Sequence, residues 1–304
     1  MCLTSPYHPE KFLFIGLELA GFSSWRQKRV GSFSNRRRFK TVYGSSPEDL
    51  ARMWSDLLTT SVPGARVKTS WADPVQFLMT HYWLRNYPTE TCMTGIFKLT
   101  EKTIRKWVWY FLEKIAALKS DKITWPSSWN SEDPQRPTPM FLGSVDGVHF
   151  HVREPWDPKH PKNPKWYSHK FKKAAVDYEI GLSLYDNQIV WFNGPFPASK
   201  NDISIFRAGL KTKIPKGKKF VADQGYKGEK ELIALPNSLD TPAVRKFKSR
   251  ARARQESLNS RIKDFACMDV RFRHGALTKH PYVFEAVLVT VQYQIEGSNP
   301  LFQI

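Results

Sequence analysis

The sequence predicts a mixed α/β protein in which a small all-α domain precedes a larger domain of strands and helices. Three observations carry this. Ile104, Trp107, Val108, Phe111, Leu112, Ile115 and Leu118 recur at three- and four-residue steps, the stripe of a packed helix. Val176, Tyr178, Ile180, Leu182 and Leu184 alternate strictly, the period of a strand. Short apolar runs then end in acids, at Asp146 and Asp223, and alternate with helical stretches. A chain of 304 residues accommodates one catalytic domain and a small companion.

Along the chain, residues 1–60 read as a basic, poorly structured segment. Arg26, Lys28, Arg29, Arg36, Arg37, Arg38 and Lys40 fall among Gly and Ser without an acid, as in a solvated arm, a phosphate-gripping arm or a nuclear import signal. A short helix is predicted over Pro47 to Leu58. Residues 61–125 read as helical: Pro74 to Leu84, then Thr89 to Phe97, then Thr100 onward. Thr100 is a candidate N-cap, and Gly95 to Leu99 supply a tight turn, so this pair resembles a helix-turn-helix. Lys102, Arg105 and Lys106 then occupy the groove-facing side of its second helix; plain three-helix packing is the alternative. Residues 126–139, with four prolines, are predicted to be the linker.

Residues 140–304 form the second domain. Met140 to Val145 and Val148 to Val152 read as extended, Arg153 to Lys173 as a basic loop with four prolines, and Val176 to Phe192 as a hairpin turning at Asp186-Asn187. Helices are predicted at Asp202 to Leu210 and Ala251 to about Asp269, a strand at Phe220 to Ala222, and an amphipathic helix at Pro281 to Ile295. Three strands, helix, strand, helix, with acids on the first and fourth strands, describe a ribonuclease H-like domain.

Lys and Arg number 47 against 28 Asp and Glu, a formal charge of +19, which predicts a polyanionic partner. DNA is the leading candidate and an anionic membrane surface the rival. No apolar run approaches the length of a spanning helix, so no membrane insertion is expected. Cys2, Cys92 and Cys267 are widely separated, as in a reducing compartment without a zinc site.

Six ordered motifs sharpen this: Gly143-Ser-Val-Asp-Gly-Val-His149, Tyr167-Ser-His-Lys170, Tyr178-Glu-Ile-Gly181, Gly194-Pro-Phe-Pro197, Asn201-Asp-Ile-Ser-Ile-Phe-Arg207 and Ala222-Asp-Gln-Gly-Tyr226. Together they resemble the PIF/Harbinger branch of the DDE transposases and, more distantly, bacterial insertion-sequence transposases. The resemblance covers residues 140–304 and extends weakly to the helical part. It implies a DNA endonuclease and strand-transferase whose three carboxylates hold two divalent ions, Mg²⁺ or Mn²⁺. The matching positions are Asp146, Asp223 and Glu256, the last in Glu256-Ser-Leu-Asn-Ser-Arg-Ile-Lys263. Asp264 and Asp269 are fallback third ligands. Hard ions take carboxylate and phosphate oxygens, and a pair of them clamps both oxygens of an in-line phosphoryl displacement.

Each acid also has an ordinary reading: Asp146 and Asp223 as turn residues and Glu256 as a solvated helix position, while Asp202 reads equally as a contact to a metal or strand end and as a helix N-terminal acid. The family often has Thr at Val148, Gly near Ala198, His at Asn201, Ser at Gln224 and an aromatic at Asn259, so a degraded or domesticated copy stays open. His149 and His151, with Asp146, form the alternative of a His/Asp metal site, though His149 reads better as support for a carboxylate. Lys170, Lys172, Arg250, Arg252, Arg254 and Lys263, with the basic run from Arg245, are candidate contacts to DNA phosphates. Trp156 and Trp166 are candidates for stacking on a base. The competing functions are a catalytically inactive, transposase-derived DNA-binding protein and a housekeeping ribonuclease. The resemblance further implies a separate Myb/SANT-like DNA-binding partner, a homo-oligomer, and a nuclear location, or a cytoplasmic or nucleoid one in a bacterium.

Overall fold

The computed structural model describes residues 8–22, 32–68, 70, 73–130, 139–156, 158–159 and 163–304. Contacts divide the chain into two units: one takes the described part of 1–121 with 262–270 and 282–300, the other 122–261 with 271–281 and 301–304. The boundaries read from the sequence, a helical domain to 125 and one catalytic domain over 140–304, therefore differ from the contact units at the C-terminal end.

In the first unit, α1 (Pro9–Leu19) starts at His8, whose Nδ1 accepts from Glu10 N at 3.3 Å. Next, α2 (Phe33–Tyr43) begins at the Ser32 cap and stops at Gly44, whose φ of 81° is left-handed. Ser46 caps α3 (Pro47–Thr59), with Pro47 in its first turn. An Asp73–Gln76 capping box opens α4 (Pro74–Asn86). After it come α5 (Glu90–Phe97), α6 (Glu101–Ala117) and the short α7 (Lys119–Lys122). The core includes Phe12, Leu17, Phe39, Tyr43, Trp54, Phe77 and Phe111, with the Phe77 ring centroid 6.3 Å from Phe12, 5.5 Å from Trp54 and 5.8 Å from Phe111.

These helices correct the reading of residues 1–60 as poorly structured. Phe39 and Tyr43, four residues apart, bury one face of α2 although four of its eleven residues are basic, and Arg36 is ion-paired with Glu10 and Glu48. Two buried aromatics per three turns anchor a helix that composition alone reads as solvated. Arg26, Lys28 and Arg29 lie outside the described residues. Thr100 Oγ1 accepts from Thr103 N at 3.3 Å and caps α6. The turn before it falls at the end of the span Gly95 to Leu99: α5 runs on to Phe97, and Lys98, at φ 54°, closes it.

In the second unit, β1 (Phe141–His151) is the center of the sheet, antiparallel to β3 (Lys173–Ser183) and parallel to β5 (Lys219–Val221). The strand order is β2 (Tyr167–Ser168), β3, β1, β5, β6 (Ile233–Ala234), and β4 (Ile189–Pro197) pairs with β3 as a hairpin. After β4 comes α8 (Asp202–Ala208), and after β6 comes α9 (Pro242–Lys263), whose residues up to Arg261 belong to this unit; α10 (Ala266–Asp269) and α11 (His280–Glu296) from Tyr282 onward belong to the first unit. Leu142, Val145, Phe206, Phe220 and Tyr226 form one core, and Leu184, Val221, Ala234 and Ala251 a second. The second core takes Phe247 of α9, a helix that begins nine residues before the predicted Ala251.

Three more readings change. The predicted linker includes a 3₁₀ turn, Ser127–Asn130, whose Trp129 is buried with its ring 4.9 Å from Trp125 and 5.9 Å from Phe220; residues 131–138 lie outside the described ones. The predicted helix to Asp269 breaks after Lys263 and resumes at Ala266. The last helix is not amphipathic: Phe284, Ala286, Val287, Leu288, Val289 and Val291 are all buried.

Candidate active site

Ser144 of β1 stands opposite Val221 of β5 in a parallel register. Two residues further on, each strand delivers an acid: Asp146 within β1 and Asp223 just past the end of β5. Side chains alternate with period two, so each acid is on the same strand face as the residue two before it. Asp223 also caps the 3₁₀ turn Gln224–Tyr226, its Oδ1 accepting from Gly225 N at 2.8 Å. Glu256 comes from α9, and the three acids line one cleft together with Ser144, Val145, Val221, Arg252 and Gln255.

Asp146 is the most constrained of the three. Burial is the largest influence on its carboxyl, followed by the charges of Glu256, Asp223 and Asp202, and together they push its pKa up to about 7. It accepts two hydrogen bonds, from Gly147 N at 2.9 Å and from Asn259 Nδ2 at 2.8 Å. Asn259 and Gln255, one turn apart on α9, continue inward: Gln255 Nε2 reaches Asn259 Oδ1 and Ile180 O, both at 3.4 Å, and Ser144 Oγ donates to Gln255 Oε1 at 2.8 Å. Asn259 is thus in contact with the first acid.

Asp202, in the first turn of α8, sits between the two strand motifs. A Cβ at Gly147 would lie 2.5 Å from its Oδ1, and one at Gly225 would lie 2.5 Å from its Oδ2. Its pKa is raised by burial and by the Asp223 charge, with Lys170 opposing.

Beneath this layer are acids that the sequence reading passed over. Asp177 and Glu179 of β3 are fully buried, and burial raises their pKa values to about 8 and about 7. Glu179 Oε1 accepts from Trp191 Nε1 at 2.9 Å, and His149 Nε2 stands 3.6 Å from Asp177 Oδ2. The signal was present: two acids at alternate positions in an apolar strand. Such alternation is the pattern of a strand with one wet face, but β3 lies inside the sheet. Asp146 and His149 are three apart on a continuous strand and so face opposite sides, which removes the His149/His151/Asp146 metal arrangement.

The structure separates the predicted basic contacts. Arg252 is exposed and lines the acid cleft. Arg254, 3% exposed, instead donates inward to Ser183 O, to Asp186 O at 2.9 Å, to Asn187 Oδ1 at 3.0 Å and to Phe302 O at 3.0 Å. It ties a turn to the chain end, which corrects its reading as a DNA contact. Lys248 is similarly buried against Asp240, at 2.9 Å. Arg250 donates to Gln303 O and lies over the Phe302 ring. Lys170 and Lys172 are exposed near β2. Lys102 and Lys106 are exposed on α6, whereas Arg105 holds Glu90 with two nitrogens. Lys263 falls in the first unit, as do the exposed Asp264 and Asp269, none of which lines the cleft. Trp156 is exposed, while Trp166 is buried as an anchor.

The cleft's donor set is carboxylate oxygen, the kind that a hard divalent ion takes. As placed, no group of three His, Cys, Asp or Glu side chains among the described residues is drawn together closely enough to hold one ion. No described helix is long and apolar enough to cross a membrane. No curated protein and no solved structure matches the chain. Residues 145–292 match the family model described as DDE superfamily endonuclease, a span that holds all three cleft acids, and the chain is consistent with a DDE transposase-type protein.

Proposed function

We propose that this protein is a metal-dependent DNA endonuclease and strand-transferase built on a ribonuclease H-like domain. The observation that carries this is the shared cleft of Asp146, Asp223 and Glu256, three acids from separate elements that lie in order within the matched span. Asp146, Asp223 and Glu256 would hold Mg²⁺ or Mn²⁺, two ions supplying the charge that polarizes a scissile phosphate and activates water. The residues of the chain do the rest. Asp146, buried among like charges, gains when a cation neutralizes it. Arg252 offers a cation to the DNA backbone beside the acids. Hydrolysis frees a 3′-hydroxyl, and attack of that hydroxyl on a target phosphodiester joins the strands, with one P–O bond formed and one broken in each step.

The +19 charge supports DNA as the partner. Helices α5 and α6 act in this reading as a helix-turn-helix presenting Lys102 and Lys106. A Myb/SANT-like partner, a homo-oligomer that pairs two DNA ends, and a nuclear location belong to the same proposal. The second reading, an inactive transposase-derived DNA binder, keeps the same fold and the same basic charge and differs in whether the acids act.

Nicking of supercoiled plasmid in Mg²⁺ or Mn²⁺ distinguishes the two, with wild type beside Glu256→Gln at equal DNA occupancy. Metal-dependent nicking that the substitution removes supports the enzyme. A folded protein that binds DNA and does not nick it, with or without an added Myb/SANT-like partner, supports the binder.

A further inference from the structure

Among the described residues no cation is paired with Asp146; its two hydrogen bonds come from a backbone N–H and from Asn259. Which end of the Asn259 amide faces the acid is fixed from a distance. Ile180 O is a backbone carbonyl and can only accept, so Gln255 must turn its NH₂ toward it. That nitrogen also meets Asn259 Oδ1, while Gln255 Oε1 receives the Ser144 hydroxyl. With its oxygen occupied in this way, Asn259 has only its NH₂ to offer Asp146 Oδ2. Ser144, Gln255 and Asn259 are 1%, 2% and 5% exposed, so water does not compete for these bonds. The chain of amides laces β1 to α9, and the residue after Gln255 is Glu256.

We propose that Asn259, oriented by Gln255, is a positioning residue for Asp146, holding Oδ2 in one direction so that the acid meets a divalent ion already oriented. This rests on the metal-dependent reading above and adds to it two residues that touch no substrate. Partners that orient a metal-binding side chain typically change affinity by about 10–100-fold when removed.

The test titrates the full-length protein with Mn²⁺ alone by calorimetry, comparing wild type, Asp146→Asn, Asn259→Leu and Gln255→Met, with thermal melts to show that each is folded. Asn259→Leu is expected to weaken Mn²⁺ binding at least tenfold. Gln255→Met, two bonds away from the acid, is expected to weaken it severalfold because the Asn259 amide is then free to turn. A merely structural role lowers the melting temperature and leaves the affinity of the folded variants unchanged, which overturns the proposal. Should neither variant fold, the Asn259 side-chain NH₂ is followed by NMR in wild type: slow exchange with solvent and a shift that Asp146→Ala removes support the relay, and fast exchange refutes it. Wild type that binds no Mn²⁺ defeats the functional reading itself. Wild type that binds it, with affinity lost in Asp146→Asn and kept in both folded relay variants, defeats the positioning role alone.

Discussion

Asp146 and Asp223 lie two residues beyond Ser144 and Val221, a directly opposed pair on parallel strands, so a single register brings the two acids to one cleft. In the proposed mechanism the two acids act together. Asp146→Asn and Asp223→Asn are each expected to abolish metal-dependent nicking while leaving DNA binding equal to wild type or tighter, because a negative charge leaves the phosphate path. Gel shifts at matched protein concentration beside plasmid nicking read both effects. A variant that still nicks removes its acid from the mechanism.

The raised acids set the pH dependence of the metal-free protein. Asp146 and Asp177 rise from near 3.8 to about 7 and about 8, and Glu179 from 4.5 to about 7. Between about pH 4 and pH 8 the folded state therefore holds protons that the unfolded chain has lost. More protons bound by the native state means that stability falls as pH rises through this window. Melting in EDTA is expected to drop from pH 5 to pH 8, and Asp177→Asn to flatten the drop, since Asn does not ionize. A melting temperature that climbs over this range in wild type excludes these acids as the dominant titrating groups.

Much of the second unit was legible because its strands follow strict periodicities. The alternation from Val176 to Leu182 lies within β3, and the acids at the ends of apolar runs do share a cleft. What was not legible depends on partners distant in sequence. Nothing local reveals that Asp177 and Glu179 are covered, since burial comes from the neighboring strands and helices and not from the pattern of β3 itself. Arg254 and Lys248 look like the other bases around them; only the fold decides that one meets the carbonyls of Ser183 and Asp186 and the other meets Asp240. In α2 four basic residues outnumber three aromatics, one of them the exposed Phe33, yet Phe39 and Tyr43 determine where the helix packs.

Asp202 and Gly147 provide a test of how the site is packed. Because a Cβ at Gly147 would stand 2.5 Å from Asp202 Oδ1, Gly147→Ala is expected to destabilize the protein by about 1–3 kcal/mol in urea unfolding. In an Asp202→Ala background the penalty should shrink by more than half, since the colliding oxygen is gone. Equal penalties in both backgrounds would mean that the strand, not Asp202, rejects the methyl group.

Arg252 and Arg254, two residues apart on α9, are expected to separate DNA binding from folding. Arg252 is exposed beside the acids, so Arg252→Ala is expected to weaken duplex binding, lower the slope of log affinity against log salt by about 1, and leave the melting temperature unchanged. Arg254 satisfies buried acceptors, so Arg254→Ala leaves them without a donor and is expected to cost about 2–4 kcal/mol of stability. Folded Arg254→Ala protein should bind DNA with the wild-type salt slope. For wild type, affinity is expected to fall by orders of magnitude between about 50 and 200 mM salt if six or more phosphates are contacted. Fluorescence anisotropy across a salt series reads all three proteins. A slope change in Arg254→Ala, or none in Arg252→Ala, would mean that the DNA path does not cross this cleft.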